Sequence, residues 1–476
     1  MEDKRIESDS MGLVEVSSGA LYGAQTQRAV DNFTISEWRF GRRFLQALGL
    51  VKWAAAAANS GLGLLDSGIA AAIQAAAEEV VRGDHDAHFP VDVFQTGSGT
   101  STNMNANEVI ANLANRSLGF ELGSKKPVHP NDHVNLCQSS NDVIPTATHL
   151  AALIAIDEAL LPALTRLRKA LAAKADAFDH IVKSGRTHLM DATPVRLGQE
   201  FGGYAAQVEH AIARIDLARG DLCELALGGT AVGTGVNAHP EFAHRAITHL
   251  AERLGLELRE AYNHFEAQSA RDAVVAASGA LKAAAVAMAR IANDLRWLAS
   301  GPASGLGEIR LPDLQPGSSI MPGKVNPVIP EAVIQVSAQV IGNDAAITLG
   351  GLGGIFELNT MMPLMAHDLL FNIETLGAAA GLLASKCVEG IEADEKRCSE
   401  LLFGSLVLVT ALVPYLGYDA AARVSKQAYE TGNTLKQTVL DLGLMTEDQL
   451  DQALDVRSMT EGGLESERGG AKGTLQ

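Results

Sequence analysis

Three segments in the middle of this 476-residue chain repeat apolar residues in alternating steps of four and three. That spacing puts the apolar side chains on one stripe of a helix, which is typical of long helices packed nearly parallel in a bundle. Two further helices are predicted at 331–349 and 363–386, which completes five. The three stripes are Leu160, Leu164, Leu167 and Leu171; Leu197, Phe201, Tyr204, Val208, Ala211, Ile215, Ala218 and Leu222; and Val274, Ala277, Leu281, Ala284, Met288, Ile291, Leu295 and Leu298.

The composition agrees with a helical fold, because aromatic residues make up only 5% of the chain and β-sheets favour aromatic and β-branched residues. We therefore predict an all-α protein. A polar run before the bundle and a change of pattern after it suggest three domains: an N-terminal domain at 1–138, the bundle at 139–394 and a C-terminal domain at 395–476. The end, 461–476, is rich in glycine and charge and is expected to fray.

The net charge of −18 bears on the partners that the chain can have. Such an acidic protein does not attract nucleic acid through its overall field, and an anionic substrate would need local positive groups or helix N-termini. The four cysteines are far apart and form no CxxC, which argues against zinc and disulfides and fits a reducing compartment. With no apolar leader and only short apolar runs, we expect a cytoplasmic protein that needs neither metal nor membrane.

Residues 301–330 hold six of the fifteen prolines. That density excludes a continuous helix and predicts a long loop. Within it, 317–327 reads Gly-Ser-Ser-Ile-Met-Pro-Gly-Lys-Val-Asn-Pro, which is too patterned for a spacer. Because long loops inside compact domains are usually functional or disordered, we interpret 317–327 as a mobile active-site loop.

Three other polar segments stand out, at 96–105, 129–142 and 185–191. Hydroxyls and amides before a helix can bind an anion, although helix capping alone would explain the first two. The third segment contains His188, a default candidate for acid–base chemistry, although a lone histidine is often structural. Glu331, which opens the helix after the loop, would also be explained by its interaction with the helix dipole.

Together these segments resemble one family. The sequence at 317–327 closely resembles the signature of the fumarase/aspartase superfamily, and 183–199 and 228–235 are similar to class II fumarases. The resemblance extends from about residue 22 to about residue 455. It implies a central five-helix bundle between two small domains, with four chains pairing their bundles into a twenty-helix core. It also implies active sites shared between three subunits of a homotetramer and no cofactor.

The resemblance implies a lyase that hydrates fumarate reversibly to L-malate. Aspartases typically have glutamine where this chain has His188, and Ser-Thr-Asn where it has Ser139-Ser140-Asn141. There is a chemical reason for the difference, because a hydroxyl group must be protonated before it leaves as water, whereas the ammonium group of aspartate already carries its proton.

Residue roles follow from the same resemblance. Ser318 would remove the C3 proton of malate, and His188, paired with Glu331, would act at the hydroxyl end; the residues leave open which is acid and which is base. The substrate carboxylates would be bound by Ser98, Thr100, Ser139, Ser140, Asn141, Thr187, Ser319, Lys324 and Asn326. His129, Asn131 and Asp132 partly resemble a second dicarboxylate site, but Lys126 and His133 depart from its pattern.

Two alternatives remain at this stage. The chain could be an aspartase or another lyase of the superfamily, or an inactive member that serves as a structural protein, as crystallins do. The second is disfavoured because Ser318, His188, Lys324, Asn326 and Glu331 are all present.

Overall fold

The computed structural model describes residues 3–461, so most of the C-terminal segment predicted to fray, 462–476, lies outside the described residues. Helices dominate this part of the chain, and its strands are short and pair two by two. The predicted all-α class is confirmed.

Seventeen α-helices occur between residues 3 and 461. They are α1 (Ala24–Asn32), α2 (Arg42–Gly61), α3 (Ser67–Arg82), α4 (Thr100–Ser117), α5 (Ser140–Ala155), α6 (Leu161–Ala177), α7 (Leu197–Leu222), α8 (Phe242–Leu254), α9 (His264–Ser269), α10 (Asp272–Leu298), α11 (Val328–Gly351), α12 (Met362–Leu382), α13 (Glu395–Gly404), α14 (Val413–Leu416), α15 (Tyr418–Thr431), α16 (Leu435–Asp441) and α17 (Glu447–Ala453).

The strands of residues 3–461 form five two-stranded ladders, of which only the pair β5–β6 is parallel. They are β1 (Lys4–Asp9), β2 (Gly12–Ser17), β3 (Val182–Thr187), β4 (Met190–Arg196), β5 (Glu224–Leu225), β6 (Arg259–Glu260), β7 (Ile309–Arg310), β8 (Gly354–Ile355), β9 (Leu358–Asn359) and β10 (Glu392–Ala393).

The three stripes predicted from the sequence are buried along their whole length, from Leu160 to Leu298. The first lies on α6 and the π-helical turn before it, and the others lie on α7 and α10. The helix predicted at 331–349 is α11, and that predicted at 363–386 is α12 with the turn Leu383–Cys387. Side chains join neighbouring helices: the Ser278 hydroxyl donates to Asp344 at 2.8 Å, and the Tyr204 hydroxyl donates to Asp294 at 3.2 Å.

The described chain divides into two compact units: 3–163, 211–286 and 335–379 form the first, and 164–210, 287–334 and 380–461 form the second. In the first, α2 packs against α3, α5 and α8, and α4 packs against α3. In the second, α13 packs against β3, and Leu412, Val424, Val439 and Leu450 share a small apolar core. The predicted boundaries near 138 and 394 fall just before α5 and α13; the three-domain division stays a prediction.

Among the described residues, α10 is long and apolar enough to cross a membrane, and the bent pair Glu395–Gly404 and Leu406–Leu416 would pass the same test if counted as one span. The core helix of a soluble protein meets the same criteria. The Lys282 ammonium of α10 lies 2.6 Å from the Asp344 carboxylate of α11. Because α10 buries a full stripe and carries this ion pair, we interpret it as a core helix.

Candidate active site

The starts of α4 and α5 bring three predicted hydroxyl groups together in the first unit. Thr100 Oγ1 lies 2.6 Å from Ser140 Oγ and 2.8 Å from Ser98 Oγ. The first four N–H groups of a helix lack partners inside the helix and favour an anion. Two helix starts and a chain of hydroxyls can therefore bind a carboxylate without a formal positive charge.

Two glycines allow the start of α4 to lie close to neighbouring segments of the chain. A Cβ on Gly97 would lie 1.8 Å from the Thr360 carbonyl oxygen, which no side chain could tolerate. Gly99, the residue before α4, has φ +70°, and its Cβ would meet the Ile144 side chain at 2.9 Å. The glycines of segment 96–105 thus permit close backbone contact.

The polar run at the start of α5 serves partly as a cap, as the alternative interpretation expected. Ser139 caps the helix, and its N–H donates to Asp142 at 2.9 Å. The other oxygen of Asp142 accepts the N–H groups of Gly228 at 3.0 Å and Thr230 at 2.9 Å. Burial raises the pKa of Asp142, against the opposing effect of these donors.

Segment 228–235 is thereby held beside the predicted substrate-binding residues. The Asn141 amide nitrogen donates to the Ala231 carbonyl oxygen at 2.7 Å. Asp142 and Asn141 together attach the segment to the first turn of α5.

Sequence reasoning missed a buried polar network behind this site. Lys52 of α2 is fully buried, and its ammonium donates to Asn135 at 3.1 Å and to Gln138 at 2.9 Å. The same Asn135 oxygen accepts from Asn103 and Asn107 of α4, each at 3.1 Å. Burial lowers the pKa of Lys52 to about 7, although the charge of Asp142 opposes the shift.

A signal for the network was present in the sequence. Lys52 follows Leu48 by four positions and precedes Ala55 by three, so it lies on the apolar stripe of α2. A charged residue on such a stripe must find polar partners, since burying an unpaired charge is costly.

Thr187 and His188 occupy the tip of the β3–β4 hairpin in the second unit. His188 and Leu189 have φ values of +58° and +59°, as a two-residue hairpin turn requires. Thr187, His188 and Leu189 are all exposed. The tip is therefore presented outward, to solvent or to another chain.

The base of the hairpin is fixed. Arg186 donates to both oxygens of Glu308, at 2.8 and 2.9 Å, and the Lys183 ammonium lies 3.3 Å from the same carboxylate. Lys183 also lies 2.9 Å from Glu200. Glu308 and Lys183 are completely buried, so a rigid base carries an exposed tip.

The proline-framed segment 317–327 is a loop, as predicted, and its hydrogen bonds centre on Ser318. Ser318 Oγ accepts the backbone N–H groups of Ile320 at 3.2 Å and Met321 at 3.0 Å. Two donors aimed at one hydroxyl oxygen stabilise negative charge on it.

The two ends of the loop are joined to each other. The Gly317 N–H donates to the Lys324 carbonyl oxygen, and the Asn326 amide donates to the Gly317 carbonyl oxygen, both at 2.7 Å. A Cβ on Gly317 would lie 2.7 Å from that Lys324 oxygen, and Gly323 has φ +82°. Ser319 and Lys324 are exposed, and Ile320 at the tip is 83% exposed.

Glu331 lies in the first turn of α11 and is half-buried. Within the second unit, no hydrogen bond or ion pair between described residues joins Glu331 to His188, nor Thr187 or His188 to the loop. The pairing of His188 with Glu331 therefore stays a prediction.

The segment of the predicted second dicarboxylate site forms a local turn, Pro130–Val134. The ring nitrogen Nδ1 of His129 accepts from the N–H groups of Asn131 and Asp132, each at 3.2 Å. Burial lowers the pKa of His129, against the opposing charge of Asp132. These contacts describe a capped turn, and the binding role of His129, Asn131 and Asp132 stays a prediction.

The fold and these segments define a helical lyase, and the comparisons with known proteins agree. The family model described as a lyase matches residues 12–342, and the model of the fumarase C C-terminus matches residues 408–461. The chain is 56% identical to the class II fumarate hydratase of Halobacterium salinarum, over 97% of this chain and 98% of that protein. It is 53% identical to the class II fumarate hydratase of Nitrosomonas europaea, over 97% of this chain and the whole of that protein.

Solved structures give the same result. The crystal structure of a class II fumarase from Schistosoma mansoni has a TM-score of 0.93 at 37% identity and covers 96% of this chain and 99% of its own. A fumarate lyase:delta crystallin from Brucella melitensis, solved bound to cobalt, also has a TM-score of 0.93, at 46% identity, and covers 97% of this chain and all of its own. The chain belongs to the class II fumarase family.

Proposed function

We propose that this protein hydrates fumarate reversibly to L-malate. The observation that carries the proposal is Ser318, whose hydroxyl oxygen accepts two backbone N–H groups in the loop 317–327. An ordinary serine is far too weak a base to remove a carbon-bound proton, and donors that favour its oxyanion reduce that difficulty.

In the direction of dehydration, Ser318 takes the C3 proton of malate, and the electron pair is delocalised into the neighbouring carboxylate. Lys324 and Asn326 hold that carboxylate where the negative charge develops. The hydroxyl group at C2 then leaves as water, with a proton supplied by His188 directly or through a water molecule. Hydration of fumarate is the reverse sequence.

The remaining contacts position the dicarboxylate. Thr100 and Ser140, only 2.6 Å apart at the starts of α4 and α5, offer hydroxyl donors. We assign carboxylate binding to Ser98, Ser139, Asn141, Thr187 and Ser319 as well. Neutral donors and helix dipoles suit a protein whose overall charge of −18 repels anions.

We further propose a cytoplasmic homotetramer whose active sites each draw on three subunits. Exposed apolar side chains on the bundle helices support it: Leu217 of α7 is 80% exposed, Val286 of α10 is 51% exposed and Leu349 of α11 is 65% exposed. Pairing bundles would remove this surface from water. It would also give the exposed hairpin tip and loop partners that the second unit does not supply.

Replacing Ser318 with alanine tests the role of the loop. We expect kcat for malate to fall by about three orders of magnitude, the scale for an essential proton-transfer group. Ser319→Ala is the matched control, because its hydroxyl makes no such pair of backbone contacts; it should lose about tenfold or less. Circular dichroism and the mass in solution should be unchanged in both. Activity of Ser318→Ala within tenfold of the unmodified enzyme would contradict the proposal.

A second experiment distinguishes the addition of water to fumarate from the addition of ammonia. Purified protein is incubated with fumarate and ammonium, and malate and aspartate are quantified together. Malate as the sole product supports a hydratase, since His188, which protonates the leaving hydroxyl group in dehydration, accepts a proton from the attacking water in hydration. Aspartate as the main product would indicate an aspartase, and neither product would indicate a structural protein.

A further inference from the structure

Thr230 has an unusual backbone conformation beside the residues proposed to bind the substrate. Its φ is +54°, which lies in the left-handed region. That region is uncommon for residues other than glycine and is a genuine outlier for a β-branched one. Such conformations persist only where the surroundings impose them, and they are concentrated at functional sites. Thr230 is only 4% exposed, so its buried contacts supply the constraint.

Two completely buried side chains hold the backbone of Thr230 from both sides. Its N–H donates to Asp142 of α5 at 2.9 Å, and its carbonyl oxygen accepts from the Gln268 amide of α9 at 2.8 Å. The N–H belongs to the peptide group before Thr230, and the carbonyl belongs to the peptide group after it. Asp142 and Gln268 therefore fix the direction of both peptide groups.

Gln268 is packed tightly against the turn that contains Thr230. A Cβ on Gly229 would lie 2.1 Å from Gln268 Oε1, so only glycine leaves room for this side chain. The Gly229 carbonyl oxygen accepts the N–H groups of Gly233 at 2.9 Å and Gly235 at 3.1 Å, which closes the turn. The backbone between Gly229 and Gly233 is thus constrained at both ends.

Ala231, the residue after Thr230, connects this turn to the proposed site. It is exposed, and its carbonyl oxygen accepts from Asn141 Nδ2 at 2.7 Å. Because a carbonyl oxygen only accepts, it determines that the nitrogen of the Asn141 amide faces Ala231. The second N–H of that nitrogen can donate to a substrate carboxylate. Without a fixed acceptor at Ala231, the amide could reverse and present its oxygen, which repels a carboxylate.

We infer that Gln268 is a positioning residue for Asn141 and that it acts through the backbone of Thr230 and Ala231. Its hydrogen bond holds the Thr230 carbonyl, the backbone so held directs the Ala231 carbonyl, and that carbonyl orients the Asn141 amide. Gln268 is completely buried, so it acts without touching the substrate. This role rests on the proposed binding of a carboxylate by Asn141 and deepens the proposed hydration of fumarate.

Replacing Gln268 with leucine removes the donor and keeps a side chain of similar size. We expect KM for malate to rise at least tenfold and kcat to fall less than threefold, the pattern for losing an interaction made equally in the ground state and the transition state. Asn112→Leu is the matched control, because Asn112 is also buried and its amide donates to the Leu21 carbonyl oxygen at 2.8 Å, in the second half of α4. It should lose comparable stability in urea and leave KM unchanged. A KM as high in Asn112→Leu as in Gln268→Leu, or no rise in Gln268→Leu, would overturn the inference.

A double-mutant cycle separates positioning from general stability. In an Asn141→Ala background, Gln268→Leu should change KM less than twofold, because the side chain through which it acts is gone. Effects of the two substitutions that simply add would show that Gln268 does not act through Asn141.

Gln268→Glu is the second variant, and it decides if Gln268→Leu does not fold. A protonated glutamic acid has the same size as glutamine and donates to the Thr230 carbonyl oxygen, whereas the ionised form repels it. Because burial raises the pKa of a carboxyl group, the ratio of its KM to that of the unmodified enzyme should rise at least tenfold from about pH 6 to about pH 9. A ratio that is constant with pH would contradict the role of this hydrogen bond.

Crystal structures of Gln268→Leu, or of Gln268→Glu at about pH 9, provide a measurement that does not depend on turnover. We expect the contact of 2.7 Å between Asn141 and Ala231 to be lost. An unchanged contact would overturn the inference, whichever reaction the enzyme performs. If the unmodified protein does not hydrate fumarate, the proposed function fails, and the crystal structures still decide whether Gln268 positions Asn141.

Discussion

His188 combines an exposed position with a rigid support. Its backbone is fixed by a two-residue turn, and the strands behind it are held by the buried Glu308 through Arg186 and Lys183. A side chain at the tip of such a hairpin can enter a site formed by another subunit with little loss of backbone entropy. This geometry suits a group that must deliver a proton at a defined point.

We predict that His188→Asn lowers malate turnover by about 10²-fold or more, the usual scale for losing a general acid or base. Glu331→Gln should lower it less, because the role that we propose for Glu331 is only to orient and charge the imidazole. Steady-state kinetics of both variants, with the mass in solution as a control for assembly, provide the measurement. Normal turnover in His188→Asn would refute the role given to this residue.

Lys52 is a second single residue with a defined effect, and it lies behind the residues proposed to bind the substrate. Its ammonium holds Asn135 and Gln138, which lead into Ser139 and α5. Lys52→Met should remove one donor from these buried oxygens and the partial positive charge near Asp142, since the pKa of Lys52 is about 7. We expect a loss of stability of about 1–3 kcal/mol and a raised KM for malate.

Urea unfolding and steady-state kinetics measure the two effects of Lys52→Met. Lys426→Met is the matched control. Lys426 is largely exposed, and its ion pair with Glu430 is weak because the charged atoms are 3.9 Å apart. It should leave both the unfolding midpoint and KM unchanged. A Lys52→Met enzyme as stable and as active as the original would show that the network is dispensable.

At the scale of elements, the site depends on how closely backbone segments approach each other. Gly97 lies directly against Thr360. The Gly97 carbonyl oxygen accepts the N–H of Met362, at the start of α12, at 3.2 Å. The segment before α4 is therefore locked to the start of α12. Ser98 follows Gly97 directly and Thr100 lies three residues after it, so this contact helps to position both hydroxyl groups.

Gly97→Ala should disrupt that contact, because the new Cβ would lie 1.8 Å from a backbone oxygen that cannot rotate away. Overpacking of this kind costs about 1–3 kcal/mol or more, and we expect the thermal midpoint and activity to fall together. Gly19→Ala, where a Cβ meets nothing within 4 Å, is the control and should change neither. Equal midpoints for the two variants would contradict this account.

At the scale of the whole molecule, the residues of one active site can come from a single chain or from several chains. In a single chain the hairpin tip and the loop are exposed, and several bundle helices expose apolar side chains. A homotetramer would bury that surface and bring complementary segments of different chains together. The assembly would then be part of the catalytic apparatus as well as of the fold.

Mixing two inactive variants tests this directly. If Ser318 and His188 of one site come from different chains, tetramers reassembled from equal amounts of Ser318→Ala and His188→Asn contain some sites with both residues intact. Random assembly should restore about a quarter of the original activity. As the control, the two variants are mixed without dissociating their subunits, and this mixture should regain no activity. No recovery after verified reassembly would place both residues on one chain.

The periodic features of the sequence determined the class of fold. The stripes of α6, α7 and α10 were predicted residue by residue and are buried throughout, because helical periodicity reports local geometry and one buried face. The prolines of 301–330 likewise predicted a loop, since proline acts on its own segment. Most candidate site residues were also predicted from local sequence, because they belong to polar runs or to a family signature.

Contacts between distant parts of the chain were decided only by the tertiary structure. The hydrogen bonds of Asp142 to Gly228 and Thr230 and the network around Lys52 join residues that no periodic pattern connects. The hydrogen bonds to Ser318 are local, yet they depend on the backbone path that Gly317 and Gly323 allow. Sequence periodicity records which side chains leave water, whereas the partners that each buried polar group finds depend on packing of the whole chain.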